Sequence, residues 1–513
     1  MRELIEADNE KAPLLTPIQK FYSGANVFIT GGTGFLGKAL IEKLLRSCPD
    51  VSTLYVLVRT KKGRNMHTRI EELFDDAVFE RLRSECPKFR HKVVGIAGDC
   101  SLTDLGLSIQ DRQLLIQEVS VVFHVAATVR FDEKLKLAMA INVKGIREIL
   151  RLCKEMNNLK AAVHVSTAYS NCNLKEIEEK FYPPPIDSRK LLMLTDTIQE
   201  RLLDKITPIL LDQWPNTYTY TKAVAEDVVR LEGEHLPLGV FRPAVVVSTY
   251  KEPIRGWINN MYGPTGVCAG AGTGVLRTIH CNADVNANIV PVDMCVNSLI
   301  ATAWDVGETY KECQLMKEPY ETPIINYESS NDRPISWGKF MELSALHGVQ
   351  VPSIKSIWFY CLTLQSTLIG YNLTLFFLHI LPAAICDFAL LCVGKSPRLL
   401  KIYKKIHKFT AVISYFCTRN WRFKSTRYQS ILGKMTPADR ELFFHDLKLL
   451  DWEEYFKEYI KGIRVHLLCD PLHTMDAAKS KWLRLYWLHQ AFKALLAFVF
   501  IRILWIIISA LMT

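Results

Sequence analysis

Thr30-Gly31-Gly32-Thr33-Gly34-Phe35-Leu36-Gly37 follows the apolar run Val27-Phe28-Ile29 and opens a segment with Leu40, Ile41, Leu44 and Leu45 at helical spacing. Strand, glycine turn and helix follow one another without interruption. Gly31 suits the tight turn, Gly34 lets the backbone approach a pyrophosphate, and Gly37 lets the helix pack closely on the strand. An anion then sits at the helix N-terminus, where free N–H groups and the helix dipole favour it. Strand and helix patterns alternate from Ala25 to about Asn326, the mark of a doubly wound parallel α/β sheet.

The next apolar run, Leu54-Tyr55-Val56-Leu57-Val58, ends in Arg59, with Lys61 and Lys62 just beyond. In a sheet of this kind the residue ending the second strand faces the adenosine ribose. An acid there binds the 2′-hydroxyl, whereas arginine suits a 2′-phosphate. Arg59 therefore points to NADPH over NADH, the alternative being a solvated basic loop. Asp99 follows a third strand, Val93 to Ala97, and is placed either for the adenine amino group or as an ordinary loop acid.

Tyr218-Thr219-Tyr220-Thr221-Lys222 contains a Tyr-x-x-x-Lys. On a helix these two side chains share a face. An ammonium beside a phenol lowers its pKa, and the phenol can then give a proton to a carbonyl oxygen as hydride reaches carbon. Ala162-Val163-His164-Val165-Ser166-Thr167 reads as a strand ending in two hydroxyls; Thr167 is the first choice to hold that oxygen and Ser166 the alternative.

The spacing of the glycine turn resembles the short-chain dehydrogenase/reductase variant of the Rossmann fingerprint, and the glycine turn, hydroxyl strand and Tyr-Lys helix occur in that family's order. In the same family Asn142 resembles the asparagine whose carbonyl supports a proton-relay water, against a plain helix-interior polar residue. Ala126 and Ala127 end the strand that would line the nicotinamide ribose, and Arg242-Pro243 ends a later strand on the same edge. Longer phrases narrow the resemblance: Phe123 to Phe131, His164 to Tyr169, Tyr182 to Pro185, Asn216 to Tyr218 and Lys251 to Trp257 together look like the fatty acyl-CoA reductases, from about Ser23 to about Gly462. Where that family shows Gly-Ala at the start of the fingerprint, this chain has Gly31-Gly32, a tolerable change in a turn.

The resemblance implies an extended reductase domain over 23–330, a family-specific, mainly helical C-terminal domain over 356–465, and NADPH-dependent reduction of long acyl-CoA thioesters to primary alcohols. A reductase of another lipid carbonyl, such as a steroid ketone, would share every Rossmann motif but release no thiol. A binding protein on a dead reductase fold is the third alternative.

Of 513 residues 49% are hydrophobic, which points to membrane contact. The 14 cysteines are scattered, with no C-x-x-C or H-E-x-x-H, so no metal site is expected. Met1 to Lys20 is charged and lacks the apolar core of a leader, so the expectation is a cytosol-facing protein with reduced thiols. The net charge is +10, and Lys395 to Arg427 alone carries ten Lys and Arg with no Asp or Glu. The remainder is balanced, which gives a nucleic-acid role little support. Within that basic stretch Leu399, Ile402, Tyr403, Ile406, Phe409 and Ile413 recur at helical spacing, which suits an anionic membrane surface, the phosphates of coenzyme A or an ordinary packed helix.

Trp257, Met261 and Tyr262 are candidates for an acyl pocket or for core. Ser356 to Cys386 is apolar and broken by Gly370, Asn372 and Pro382, leaving a span, a membrane-dipping hairpin and a tunnel wall open. Ala494–Thr513 is apolar apart from Arg502, with Lys481, Arg484 and Lys493 before it, and reads as a membrane anchor with the catalytic part on the cytosolic side. The endoplasmic reticulum is the first expectation for its membrane and the peroxisome the second. Oligomeric state is left open, a homo-oligomer included.

Overall fold

Seven parallel strands form the sheet that the glycine turn announces: β1 Asn26–Thr30, β2 Thr53–Val58, β3 Val93–Ala97, β4 Val121–His124, β5 Ala161–Val165, β6 Leu238–Pro243 and β7 Ile324–Tyr327. Their order is β7-β6-β5-β4-β1-β2-β3, so the direction of winding reverses between β1 and β4. In such sheets the ligand crevice opens at that switch point, outside the carboxyl ends of the strands. The computed structural model describes residues 15–59 and 66–512; Lys61 and Lys62 lie outside them. Strands β4, β5 and β6 are buried along their whole length, as parallel strands covered on both faces must be. Register sets Val27 opposite Val121, His124 opposite His164, and Val165 opposite Phe241.

The chain forms two compact units that interleave along the sequence. The first runs to Ala244 and adds Val292–Glu328 and Phe423–Lys448; the second takes Val245–Pro291, Ser329–Arg422 and everything from Leu449. The linear division at 330 and 356 therefore differs from the observed one. Buried and partly buried hydrogen bonds tie 423–448 to the first unit: Asn326 Nδ2 donates to the Lys424 carbonyl at 2.8 Å, the Tyr327 hydroxyl to that of His445 at 2.9 Å, and Lys43 Nζ to that of Leu442 at 2.6 Å.

Among the helices of the first unit that connect successive strands of the sheet, four bear on the site. Helix α1, Phe35–Ser47, starts at Gly34 with no side-chain cap. Helix α2, Gly145–Glu155, is entered through a π turn at Ala140–Lys144. Helix α3, Thr217–Glu232, is capped by Asn216, whose Oδ1 accepts the Thr219 N–H at 2.9 Å. Helix α4 is Val292–Met316.

In the second unit a short strand, Ile289–Pro291, pairs with Val245–Val247 and not with the main sheet. Trp257 is buried, while Met261 and Tyr262 are exposed. The apolar stretch forms one 25-residue helical run, Leu368–Cys392: α5 Leu368–Leu375, a π turn Phe376–Ile380, and α6 Leu381–Cys392. Pro382 does not break it. The carbonyl of Leu378, four residues before the proline and so without an α-helical donor there, accepts from Arg277 NH1 at 3.1 Å. The basic helix α7 is Leu399–Cys417, and the final helix α8 runs from Met475 to Met512, starting well before Ala494. The runs Leu368–Cys392 and Leu472–Met512 are each long and apolar enough to cross a membrane.

The glycine turn is built from backbone contacts. Gly31 has φ +72°, and a Cβ on it would fall 2.7 Å from Ala126 N. A Cβ on Gly37 would fall 2.2 Å from the Gly31 carbonyl oxygen, whereas one on Gly34 would meet only that oxygen, at 3.2 Å. The helix start is thus packed on the turn itself, and the open face of Gly34 is left for a ligand. Gly37→Ala is expected to cost about 1–3 kcal/mol by overpacking and to lower both thermal stability and dinucleotide binding. Gly34→Ala is expected to keep the melting temperature near that of the unmodified protein while weakening dinucleotide binding. Thermal melting with and without dinucleotide separates the two roles.

Candidate active site

Thr30 closes β1, and its Oγ1 accepts the Ala126 N–H at 3.2 Å while lying 2.8 Å from His124 Nδ1. That bond fixes the loop after β4 against the glycine turn. The far end of the same loop is held by Asn142, in the π turn before α2. Its Oδ1 accepts the Thr128 N–H at 2.9 Å, and its Nδ2 donates to the Thr128 carbonyl at 3.2 Å and to Thr221 Oγ1 on α3 at 2.9 Å. Asn142 therefore ties the Ala126-Ala127 loop to the helix that carries Tyr218 and Lys222. A π turn at such a junction is a common mark of a functional site.

The chain beyond β5 continues along β6. Ser166 N–H donates to the Phe241 carbonyl at 2.8 Å and Ala168 N–H to that of Pro243 at 2.9 Å. This sets Thr167 between two fixed neighbours, where its hydroxyl hydrogen-bonds the Tyr218 phenol. Phe131 stacks on the Tyr218 ring at 5.7 Å between centroids. One turn further along α3, Lys222 Nζ donates to the Val165 carbonyl at 2.7 Å. Thr167, Tyr218 and Lys222 thus meet at the carboxyl edge of the sheet.

The electrostatics differ from the expected pairing. Burial pushes the Tyr218 phenol up to about 12, against which the Thr167 hydrogen bond works; Lys222 does not lower it. Lys222 is itself pushed down to about 8 by burial, partly offset by Glu226. The expected depression of the phenol is therefore corrected: burial outweighs its polar neighbours. Low surrounding polarity disfavours both charged forms, and the ammonium is turned to a carbonyl.

Ser166 and Arg242 have other work. Ser166 Oγ donates to Glu226 Oε1 at 2.5 Å, and the Arg242 guanidinium holds both Glu226 oxygens, at 2.9 and 2.5 Å, and the carbonyls of Glu178 and Lys180 at 3.0 Å. Arg242 is fully buried. Four of its five N–H groups are thus committed to a buried carboxylate and two carbonyls, so the guanidinium serves chiefly as an internal tie. Pro243 acts through its carbonyl, which accepts the Ala168 N–H. Nothing in the sequence singles out Glu226, since its partners lie at the ends of β5 and β6.

His124 and His164, adjacent across β4 and β5, stack at 5.4 Å. Burial, with Lys222 adding to it, lowers His124 to about 3 and His164 well below the usual imidazole value, so both are neutral at pH 7. At the other end of the crevice Arg59 Nε lies 3.9 Å from Asp99 Oδ2, and Asp99 Oδ1 accepts from Ser101 N–H and Oγ. Arg59 remains largely exposed.

The turn at Thr30–Gly37, the Ala126-Ala127 loop and the Arg59-Asp99 pair fit a dinucleotide. The close backbone approaches leave the face of Gly34 open beside an uncapped helix N-terminus. Within the second unit, a small pocket is lined by Cys268, Met341, Tyr360, Ile463 and Trp482 among others.

A family model described as "Male sterility protein", of the NAD-binding type, matches residues 29–299, and a second of the same description matches 378–470. The chain is 43% identical over 475 residues to the fatty acyl-CoA reductase wat of Drosophila melanogaster, covering 92% of this chain and 90% of that one. It is 36% identical over 489 residues to fatty acyl-CoA reductase 1 of Homo sapiens, covering 95% and 93%. Among solved structures, the reductase domain of a non-ribosomal peptide synthetase from Mycobacterium tuberculosis superposes with a TM-score of 0.56 at 17% identity, covering 89% of this chain and 94% of that one. The terminal reductase domain of the myxalamid pathway gives 0.55 at 17%, covering 87% and 91%. These structures share the extended Rossmann fold. With a nicotinamide-dinucleotide fold, a Thr-Tyr-Lys cluster at the carboxyl edge of its sheet and such relatives along nearly its whole length, the chain is an oxidoreductase and belongs to the fatty acyl-CoA reductase family.

Proposed function

We propose that the protein reduces long-chain or very-long-chain fatty acyl-CoA to the primary alcohol with NADPH and releases coenzyme A, on the cytosolic face of a membrane. The observation that carries this is the convergence of Thr167, Tyr218 and Lys222 beside the glycine turn, in a chain so similar to named fatty acyl-CoA reductases. A bound nicotinamide cofactor supplies hydride. Thr30 to Gly37 would hold its pyrophosphate, Arg59 its 2′-phosphate, and Ala126, Ala127 and Lys222 the nicotinamide ribose.

Tyr218 keeps its proton across the physiological range, which is the form that can donate to a carbonyl oxygen as negative charge builds there. Thr167 donates to the same oxygen. Lys222, mostly protonated below about 8, would offer its ammonium to the ribose hydroxyls of the bound cofactor. Asn142 keeps loop and helix in register. Thioester to alcohol takes two such reductions, and coenzyme A leaves between them. Exposed Leu495, Phe498, Ile501 and Trp505 on α8, with Lys481, Arg484 and Lys493 before them, support a cytosol-facing anchor. The endoplasmic reticulum is the first membrane to test and the peroxisome the second.

The direct test supplies the purified protein with NADPH and a panel of acyl-CoAs, follows free thiol and identifies products by mass; a reduced lipid ketone without thiol release would instead mark a different carbonyl substrate. In that assay Tyr218→Phe is expected to lose roughly 10²- to 10⁴-fold in rate while binding dinucleotide normally. The profile of kcat/KM for the dinucleotide is expected to fall on the alkaline side with a midpoint near 8, as Lys222 loses its proton. Lys222→Arg, charged throughout, should remove that limb; a limb unchanged in this variant would assign it to another group.

Arg59→Ala is expected to raise the KM for NADPH much more than that for NADH, because only NADPH carries the phosphate that a guanidinium pairs with. Equal losses with both cofactors would make Arg59 a structural partner of Asp99.

A further inference from the structure

The helical run α5–α6 carries two opposed stripes. Tyr371, His379, Ala383 and Asp387 are buried, while Ile369, Leu373, Phe377, Ile385, Phe388 and Leu391 are each more than half exposed. The inner stripe recurs at multiples of four residues, wider than the α-helical period, and the π turn at Phe376–Ile380 supplies an extra residue that helps keep it on one side.

The inner stripe is bonded to the rest of the unit. His379 Nε2 accepts the Arg277 N–H at 2.9 Å, and its Nδ1 lies 3.1 Å from His407 Nε2 on α7. Thr374 and Thr278 hydroxyls lie 2.9 Å apart, and the Tyr371 hydroxyl lies 3.3 Å from that of Thr410. The Asp387 carboxylate accepts the N–H groups of Arg398, Leu399 and Leu400 at 3.0 Å each, and so caps α7. Crossing a bilayer would carry this polar face into hydrocarbon and strand its partners, at a cost for each group left without a bond. Leaving the outer stripe in water would expose a contiguous apolar patch of a kind that marks an interaction surface.

We infer that α5–α6 lies in the plane of the membrane interface as a second, non-spanning contact, its outer stripe in the acyl boundary and the lysines of α7 on anionic headgroups. The charge favours this occupant over a protein partner. Lys395, Arg398, Lys401, Lys404, Lys405 and Lys408 are exposed in a stretch without a single acid, the pattern of a helix held at an anionic lipid surface. The inference rests on the membrane-anchored reading of α8 but not on the chemistry of the reductase site.

The test uses the full chain in vesicles of neutral lipid or of neutral lipid with phosphatidylserine. Cys386, Cys392 and Cys469 are replaced by serine and a single fluorescent label is placed through Phe388→Cys or, separately, Ile506→Cys. Spin-labelled lipids with the quencher high or low on the acyl chain report depth. The expected result is strong quenching of the 388 label by the shallow quencher and weak quenching by the deep one, several-fold greater with phosphatidylserine. The quadruple variant Lys401→Gln, Lys404→Gln, Lys405→Gln and Lys408→Gln should abolish that lipid preference.

Quenching at 388 chiefly by the deep lipid would show a span and overturn the inference. A 388 label that neither lipid quenches, beside a quenched 506 label, would overturn it while leaving the α8 anchor standing. Loss of quenching at both would remove the anchor as well. Equal quenching in both vesicle types would overturn the headgroup role of α7.

Discussion

Everything at the candidate site depends on one close approach between backbones. The Gly31 turn and the loop at Ala126 come so near that a Cβ on Gly31 would lie 2.7 Å from Ala126 N. The strands behind them, β1 and β4, are the pair at which winding reverses, so the approach narrows the point where an open sheet offers a crevice. Thr30 and Asn142 then pin the two ends of the loop after β4. Asn142 also reaches Thr221 on α3, so the phosphate end and the proton-donating end of the site share one framework. Such support from residues that do no chemistry is what holds reacting groups in productive geometry.

That framework carries an electrostatic cost. Lys222 is buried with a carbonyl as its bonded partner, and the nearby carboxylate of Glu226 is already held by Arg242 and Ser166. The fall of its pKa to about 8 expresses that incomplete compensation. The two imidazoles behind it stay neutral and so add no further positive charge. A site arranged this way gains when a ligand with hydroxyl acceptors arrives next to the ammonium, and strain of this kind is common where proteins bind and react.

The fold was legible because each local signal agreed with the next: an apolar run, a glycine turn with one required positive φ, then a helix-period segment. The Thr167, Tyr218 and Lys222 positions could be read from the type and spacing of residues, and the structure brings them together. Arg242 shows the limit. A cation at the carboxyl end of a strand looks the same in sequence whether it faces a ligand or a buried acid, and Glu226, on the preceding helix, decides which. The same holds for the units. Alternation of strand and helix patterns does not say which strands pair, so it does not reveal that Val245–Pro291 belongs to the second unit and Phe423–Lys448 to the first.

The apolar run Leu368–Cys392 makes the parallel point about hydropathy. Composition alone gives a helix fit to cross a bilayer, and Pro382 and Gly370 read as breaks in it. The side chains reverse both readings. Arg277 satisfies the carbonyl that the proline leaves open, so the helix continues. His379, Thr374 and Asp387 meanwhile commit one of its faces to polar partners. A helix can cross hydrocarbon only if its polar groups travel with their bonds satisfied. Here the bonds run outward to Arg277, Thr278 and the start of α7, elements that stay with the body of the unit. Length and hydropathy permit a span, and the hydrogen-bond topology argues against it.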